Sequence, residues 1–299
     1  MEVKWQGVYP AVTTKFTSGD VLDLEGFGLN IDFQLESGVE GIILGGTLGE
    51  SSTLTAKEKD TLVTVTLERV GGKVPVILNI AEGATREAVY LARRAKKLGT
   101  DGLMLLPPMR YKTDHRETVV YFSTVAKAVD LPIMIYNNPV DYKTEVTLAM
   151  FEELIACDNI QAVKESTRDV SNVTRLRRAF GDRLKILCGV DTLALEELVL
   201  GADGWVAGLV CAFPKETVAV YRLVKAGRLS EAVEIYRWFL PLLELDIHPK
   251  LVQYIKLAEQ CCGVGTEFVR EPRLMLVGEE RKRVLGIIEE GIAKRPVLS

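Results

Sequence analysis

Lys164 sits where a lysine is costly unless it is used. It follows Ile160-Gln161-Ala162-Val163 and precedes Glu165-Ser166. At the end of such an apolar run an ammonium group is partly desolvated, which lowers its pKa toward neutrality. A neutral amine attacks carbonyl carbon and forms a Schiff base. The alternative is a structural ion pair with Glu165 or another carboxylate. Tyr136 closes a second apolar run, Pro132-Ile133-Met134-Ile135. Its hydroxyl is available for proton transfer, or it packs as an aromatic with a wet tip. The run Gly45-Gly46-Thr47-Leu48-Gly49 exposes backbone amides that can cradle a small anion such as a carboxylate. Its alternative is an ordinary tight turn between a strand and a helix.

Other chemistries are poorly served. Two histidines, His115 and His248, stand far apart in sequence, and five cysteines follow no metal-ligand spacing. They read as reduced, mostly buried thiols. There is no Walker loop and no GxGxxG, so neither a metal nor a nucleotide cofactor is expected. With Lys+Arg 37 and Asp+Glu 41 the formal net charge is −4, which argues against nucleic acid or an anionic membrane as partner. No apolar run approaches a membrane span of about 18 residues. The opening residues lack the apolar stretch of a signal peptide, so a cytoplasmic location is expected.

The elements that must position these residues follow from periodicity. Short β-branched runs occur at residues 7–13, 41–46, 74–80, 102–108, 132–139, 160–166, 184–190 and 204–210. Between them lie helix-period stretches, among them Leu24 to Ser37, Ala56 to Val70 and Arg86 to Leu98. Glycine recurs where helix gives way to strand, in SGVEG, KLGTDG and LGADG, as a left-handed helix cap. Eight strand–helix units argue for parallel pairing with right-handed crossovers. The expected fold is α/β, a (β/α)₈ barrel over residues 7–226 with C-terminal helices over 227–299 packed on it as one domain. The open doubly wound sheet is the alternative. Helices are expected at about Lys215–Ala226, Leu229–Asp246, Pro249–Cys262 and Gly278–Ile292. In a barrel of this kind the site lies at the C-terminal ends of the strands, where all three segments above fall.

Taken together, GxxGE after the second strand, YNxP ending the fifth, and a KE lysine 28 residues later (164 − 136) resemble the dihydrodipicolinate synthase/N-acetylneuraminate lyase family. The resemblance spans essentially the whole chain. It implies a Schiff-base enzyme acting on small 2-oxo or 2-imino acids, needing no cofactor beyond the lysine imine, and assembled as a homotetramer or homodimer. It also implies Lys164 as nucleophile, Tyr136 as proton shuttle working with Thr47, and Thr47 with the Leu48 amide as carboxylate cradle. Gly46, Asn138, Gly189 and Asp191 complete the expected substrate pocket.

Departures from the family pattern narrow the reading. The synthase members hold an aldehyde substrate's carboxylate with an arginine just after YNxP; here Val140 and Asp141 follow Pro139. The synthases' tyrosine pair after the fourth strand is replaced by Pro107-Pro108-Met109-Arg110-Tyr111. The GxDE of the sialic-acid lyases becomes Gly189-Val190-Asp191-Thr192, and a polar residue near Gly208 is missing. Leu48, Trp205, Leu209 and Phe213 suit a compact, less hydroxylated substrate. GTLGE, YNNP, CGVD, WVAGLVCAFP and LPLLELDIHPKLVQYIKLA look most like a subgroup of 1-pyrroline-4-hydroxy-2-carboxylate deaminases of hydroxyproline breakdown, releasing 2,5-dioxopentanoate and ammonia. Two alternatives stay open: a class I aldolase cleaving a 2-keto-3-deoxy acid (or a dihydrodipicolinate synthase), and a barrel that binds a 2-oxo acid without turnover.

Overall fold

The computed structural model describes residues 1–108 and 111–298. Among them, eight strands pair in parallel: β1 (Gly7–Pro10), β2 (Ile42–Leu44), β3 (Val76–Ile80), β4 (Gly102–Leu105), β5 (Ile133–Asn137), β6 (Ile160–Glu165), β7 (Lys185–Cys188) and β8 (Gly204–Ala207). Their order, β1-β8-β7-β6-β5-β4-β3-β2, runs almost full circle. A parallel bridge between Ala11 and Ile43 closes it, with Glu40 N–H donating to Val8 O at 2.9 Å and Val12 N–H to Ile43 O at 3.1 Å. This is the (β/α)₈ barrel expected from the periodicity.

The helices are α1 (Leu24–Glu36), α2 (Ala56–Val70), α3 (Thr85–Leu98), α4 (His115–Ala128), α5 (Pro139–Tyr142), α6 (Leu148–Leu154), α7 (Ser171–Phe180), α8 (Ala194–Val199), α9 (Pro214–Lys225), α10 (Leu229–Leu243), α11 (Leu251–Cys261) and α12 (Gly278–Ala293). Local chemistry sets their limits. Thr55 and Glu58 form a capping box that starts α2, and Asp114 with Glu117 does the same for α4. Gly99, at φ 95°, ends α3 in the left-handed conformation that glycine adopts freely. On α3, Ala88, Ala92 and Ala95 are buried, one face of the helix meeting the sheet.

The strands are shorter than the apolar runs that announced them. The run 7–13 keeps its ladder only to Pro10, which itself has no N–H to give. The remaining residues of the runs line the barrel mouth. The helix expected over Leu229–Asp246 also stops early, at Leu243, and a 3₁₀ turn covers Glu244–Ile247. His248 precedes Pro249 and is extended, at φ −89° and ψ 148°, as a residue before proline prefers. That break carries the chain across the mouth of the barrel before α11 begins.

Two buried ion pairs fasten α11 to the barrel. Lys15 meets Glu259 at 2.7 Å, and Lys256 meets Glu50 at 2.5 Å; all four side chains are fully buried. Glu259 also accepts from Thr13, and Lys256 donates to Phe268 O. Among the described residues no helix is long and apolar enough to cross a membrane.

Candidate active site

Parallel pairing sets Tyr136 of β5 directly beside Lys164 of β6. The Lys164 ammonium lies 4.0 Å from the centre of the Tyr136 ring. Lys164 is only 8% exposed, and no hydrogen bond or ion pair to a described residue holds its Nζ. Burial pushes its pKa down, and Tyr142, Asp246, Asp191 and Asp141 pull it partly back. The ring face gives the charged form some compensation, but an amine with no anionic partner is poised to lose its proton.

The Tyr136 hydroxyl accepts a hydrogen bond from Asn138 Nδ2 at 3.2 Å. Burial raises this phenol to about 12, with Asn138 and Ser166 acting in the other direction. At neutral pH it therefore carries its proton and can pass it on. Asn138 caps α5: its Oδ1 accepts from Asp141 N–H at 3.1 Å, and its Nδ2 donates to Asp141 Oδ2 at 2.7 Å. The cap folds the chain back and delivers Tyr142, whose ring stands edge-on to Tyr136 with centroids 5.4 Å apart. Tyr142 OH lies 3.4 Å from Thr47 Oγ1, and burial raises it too to about 12. Thr47 was expected to serve Tyr136; the structure sets it against Tyr142. Nothing in the sequence pattern singled out Tyr142, although a proline at the first turn of a short capped helix was the available signal.

The turn after β2 opens with Gly45 at φ 71°, its carbonyl accepting from Asn79 Nδ2 at 2.9 Å. The N–H groups of Thr47 and Leu48 donate to no described residue, so the turn retains free donors for an anion. It ends at Glu50, a non-glycine residue at φ 50°. The buried Lys256 ammonium and the Arg270 N–H, at 3.0 Å from Glu50 Oε2, hold that sparsely populated conformation in place.

The β7 and β8 ends, next to β6 in the sheet, form a further wall. A Cβ placed on Gly189 would collide with Ser166 Oγ and sit 2.7 Å from Glu165 O and 2.8 Å from Lys164 Cγ. Glycine here makes room for the lysine stem. Asp191 is buried, and its oxygens accept from Trp205 Nε1 at 2.9 Å, Leu209 N–H at 2.8 Å and Gly208 N–H at 3.2 Å. Its lone pairs are thus largely taken by the protein. Gly46, by contrast, has open space around it. Of the segment 107–111 read from the sequence, Met109 and Arg110 lie outside the described residues, and Tyr111 is exposed. A cavity of about 650 Å³ lies behind Thr47 and Tyr142, reaching between α2 and α3 toward Glu82 and Arg94; Lys164 is not part of its lining. Among the described residues no group of three or more His, Cys, Asp or Glu could hold a metal ion.

A parallel barrel with a buried, unpaired lysine at the end of β6 and a protonated phenol on β5 defines a Schiff-base lyase of class I. The family model for the dihydrodipicolinate synthetase family matches residues 4–291, and the chain belongs to that family. The 4-hydroxy-tetrahydrodipicolinate synthase of Exiguobacterium sibiricum is 35% identical over 282 residues, covering 91% of this chain and 92% of its own. The crystal structure of dihydrodipicolinate synthase from Aquifex aeolicus superposes with a TM-score of 0.90 at 31% identity, over 95% of this chain and 97% of that one. YagE from E. coli K12, a prophage protein of the dihydrodipicolinic acid synthase family solved in complex with pyruvate, gives a TM-score of 0.90 at 26% identity, covering 97% and 99%. These names favour the synthase alternative over the deaminase expected from the sequence.

Proposed function

We propose that the chain makes or breaks a carbon–carbon bond beside an imine that Lys164 forms with a 2-oxo acid of the pyruvate type. The observation that carries this reading is the buried Lys164 amine, unpaired and stacked on Tyr136. The synthase names among the relatives and the pyruvate in one solved structure support it. In the cleavage direction, the neutral Lys164 amine adds to the C2 carbonyl while the Thr47 and Leu48 amides receive the carboxylate. Water leaves and an iminium remains. The C4 hydroxyl gives up its proton, the C3–C4 bond breaks, and an aldehyde departs. The resulting enamine takes that same proton at C3, relayed through the Tyr136 hydroxyl, which ends protonated as it began. Water then hydrolyses the imine, releasing pyruvate and the free amine. Synthesis is the same path reversed.

Borohydride added with pyruvate should reduce the imine to a stable secondary amine on Lys164, found by peptide mapping, and Lys164→Ala should lose the adduct and turnover. An adduct on another lysine refutes the reading. A second reading, deamination of 1-pyrroline-4-hydroxy-2-carboxylate, is favoured by Asp141 standing beside YNNP, since that substrate has no second carboxylate to be held. Ammonia and 2,5-dioxopentanoate mark the deaminase; pyruvate release marks the aldolase. Robust condensation of pyruvate with aspartate semialdehyde would mark the synthase. For assembly we propose a homo-oligomer, with exposed Leu274, Met275 and Val277 as apolar surface for a second copy; light scattering gives the mass.

A further inference from the structure

Three carboxyl groups act electrostatically on Lys164: Asp141, Asp191 and Asp246. They are not equivalent. Asp141 is engaged by Asn138, and Asp191 by Trp205 and the amides of Gly208 and Leu209. Asp246, half-buried on the 3₁₀ turn between α10 and α11, has no hydrogen-bond or ion-pair partner among the described residues.

Its placement depends on Gly208. A Cβ built there would strike Asp246 Oδ1, lie 2.8 Å from Asp246 Cγ, and come within 3.0 Å of Leu48 Cδ1. The volume that a side chain at the end of β8 would occupy is filled instead by a carboxyl group from the C-terminal extension. Strand eight contributes no polar side chain at this corner; the helix break before Pro249 supplies one.

We infer that Asp246 is the specificity-determining residue for the half of the substrate beyond the imine, selecting an uncharged, hydroxyl-bearing carbonyl compound over an anionic one. The inference rests on the Schiff-base reading of Lys164. Once Lys164 is bonded to the 2-oxo acid, its nitrogen carries the iminium's positive charge, and the carboxyl groups acting on Asp246 are Asp191 and Asp141. A second carboxylate entering here meets like charge, whereas a hydroxyl finds an acceptor with free lone pairs. In the free site burial and those neighbours push the Asp246 carboxyl well above the usual carboxylate range, and the positive charge on the Lys164 nitrogen acts the other way, toward the ionised form that repels an anion.

The test has two stages. Borohydride trapping of wild type with pyruvate comes first; failure at that stage removes the Schiff-base reading, and this inference with it. Next, kcat/KM is measured for pyruvate with glyceraldehyde, neutral and hydroxylated, and with succinic semialdehyde, anionic. Wild type should prefer glyceraldehyde by about tenfold or more, and Asp246→Asn should lower that ratio by about tenfold, because a charge–dipole contact and a repulsion are lost together. Asp246→Ala, with no polar atom, should lower it at least as far, and thermal melts verify that both variants fold. Trapping of pyruvate with equal use of the two aldehydes, no use of glyceraldehyde, or a ratio unchanged in both folded variants would overturn the inference while leaving the lysine chemistry standing.

Discussion

Gly189→Ala is the smallest change that should disturb the reactive lysine without touching it. The added methyl carbon would have to share space with Ser166 Oγ, lie 2.7 Å from Glu165 O and 2.8 Å from Lys164 Cγ. Two of these are on β6, and one is backbone, so the neighbours cannot simply swing away. Gly189 does not have a positive φ, so the cost is steric rather than conformational. Overpacking of this order costs about 1–3 kcal/mol. Part of it is relieved by pushing the Lys164 stem off the Tyr136 ring. Displacing a reacting group by about 1 Å can cost roughly 10²-fold. The expected outcome is a folded protein whose rate of imine trapping by pyruvate and borohydride falls between about tenfold and a hundredfold, with a midpoint for urea unfolding shifted downward. Gly46→Ala, with nothing within 4 Å of the new carbon, is the control and should leave the stability unchanged. A Gly189→Ala variant that traps pyruvate at the wild-type rate would refute the claim that this glycine makes room for the lysine.

Tyr136→Phe keeps the ring under Lys164 but removes the hydroxyl. Turnover should drop about 10²–10⁴-fold while the circular dichroism melt changes little, and normal turnover would leave Tyr136 a packing residue. Glu197 is buried with Oε2 unpartnered, and burial, with Glu165 nearby, raises its carboxyl to about 8. Because the folded value lies above the unfolded one, its stability contribution is complete below about pH 4.5 and is lost as pH rises through 8. Glu197→Gln should therefore gain on the order of 4 kcal/mol at pH 9 and little at pH 4, read from urea midpoints; equal effects at both pH values would count against it. Lys256→Met strands the buried Glu50 carboxylate and should destabilise by about 3–5 kcal/mol. Adding Glu50→Gln should restore part of that loss, and a fully additive double variant would show that the two charges do not depend on each other.

Lys164 and Tyr136 were legible in the sequence because the code for them is local. Each closes an apolar run, and in a parallel barrel the ends of such runs share one face; register then set the two side by side. The βα alternation gave the barrel for the same reason. Tyr142 and Asp246 were not legible. Tyr142 reaches Thr47 only because Asn138 caps a one-turn helix, a geometry that hydropathy does not register. Asp246 reaches the site from 38 residues beyond Gly208 (246 − 208), through a helix that breaks before a proline, and no spacing rule links the two. Asp191 was singled out as a substrate-facing acid, yet its hydrogen bonds turn it toward the backbone of residues 208 and 209. Hydrogen-bond saturation of this kind depends on tertiary neighbours that a motif does not name.

The two buried ion pairs also impose an order in time. Glu50 and Lys15 are made early, and their partners Lys256 and Glu259 late. Between Glu50 and Lys256 lie 206 positions (256 − 50), roughly 10–40 s of translation at about 5–20 residues per second. Through that interval both early charges lack their charged partners, Lys15 having only the Thr13 hydroxyl and water, and the mouth of the barrel must stay hydrated around them. A nascent chain halted before residue 250 should thus remain soft to protease at the turn carrying Glu50, whereas one extended past residue 273 should resist. The last stretch to be synthesised is then what dries the first.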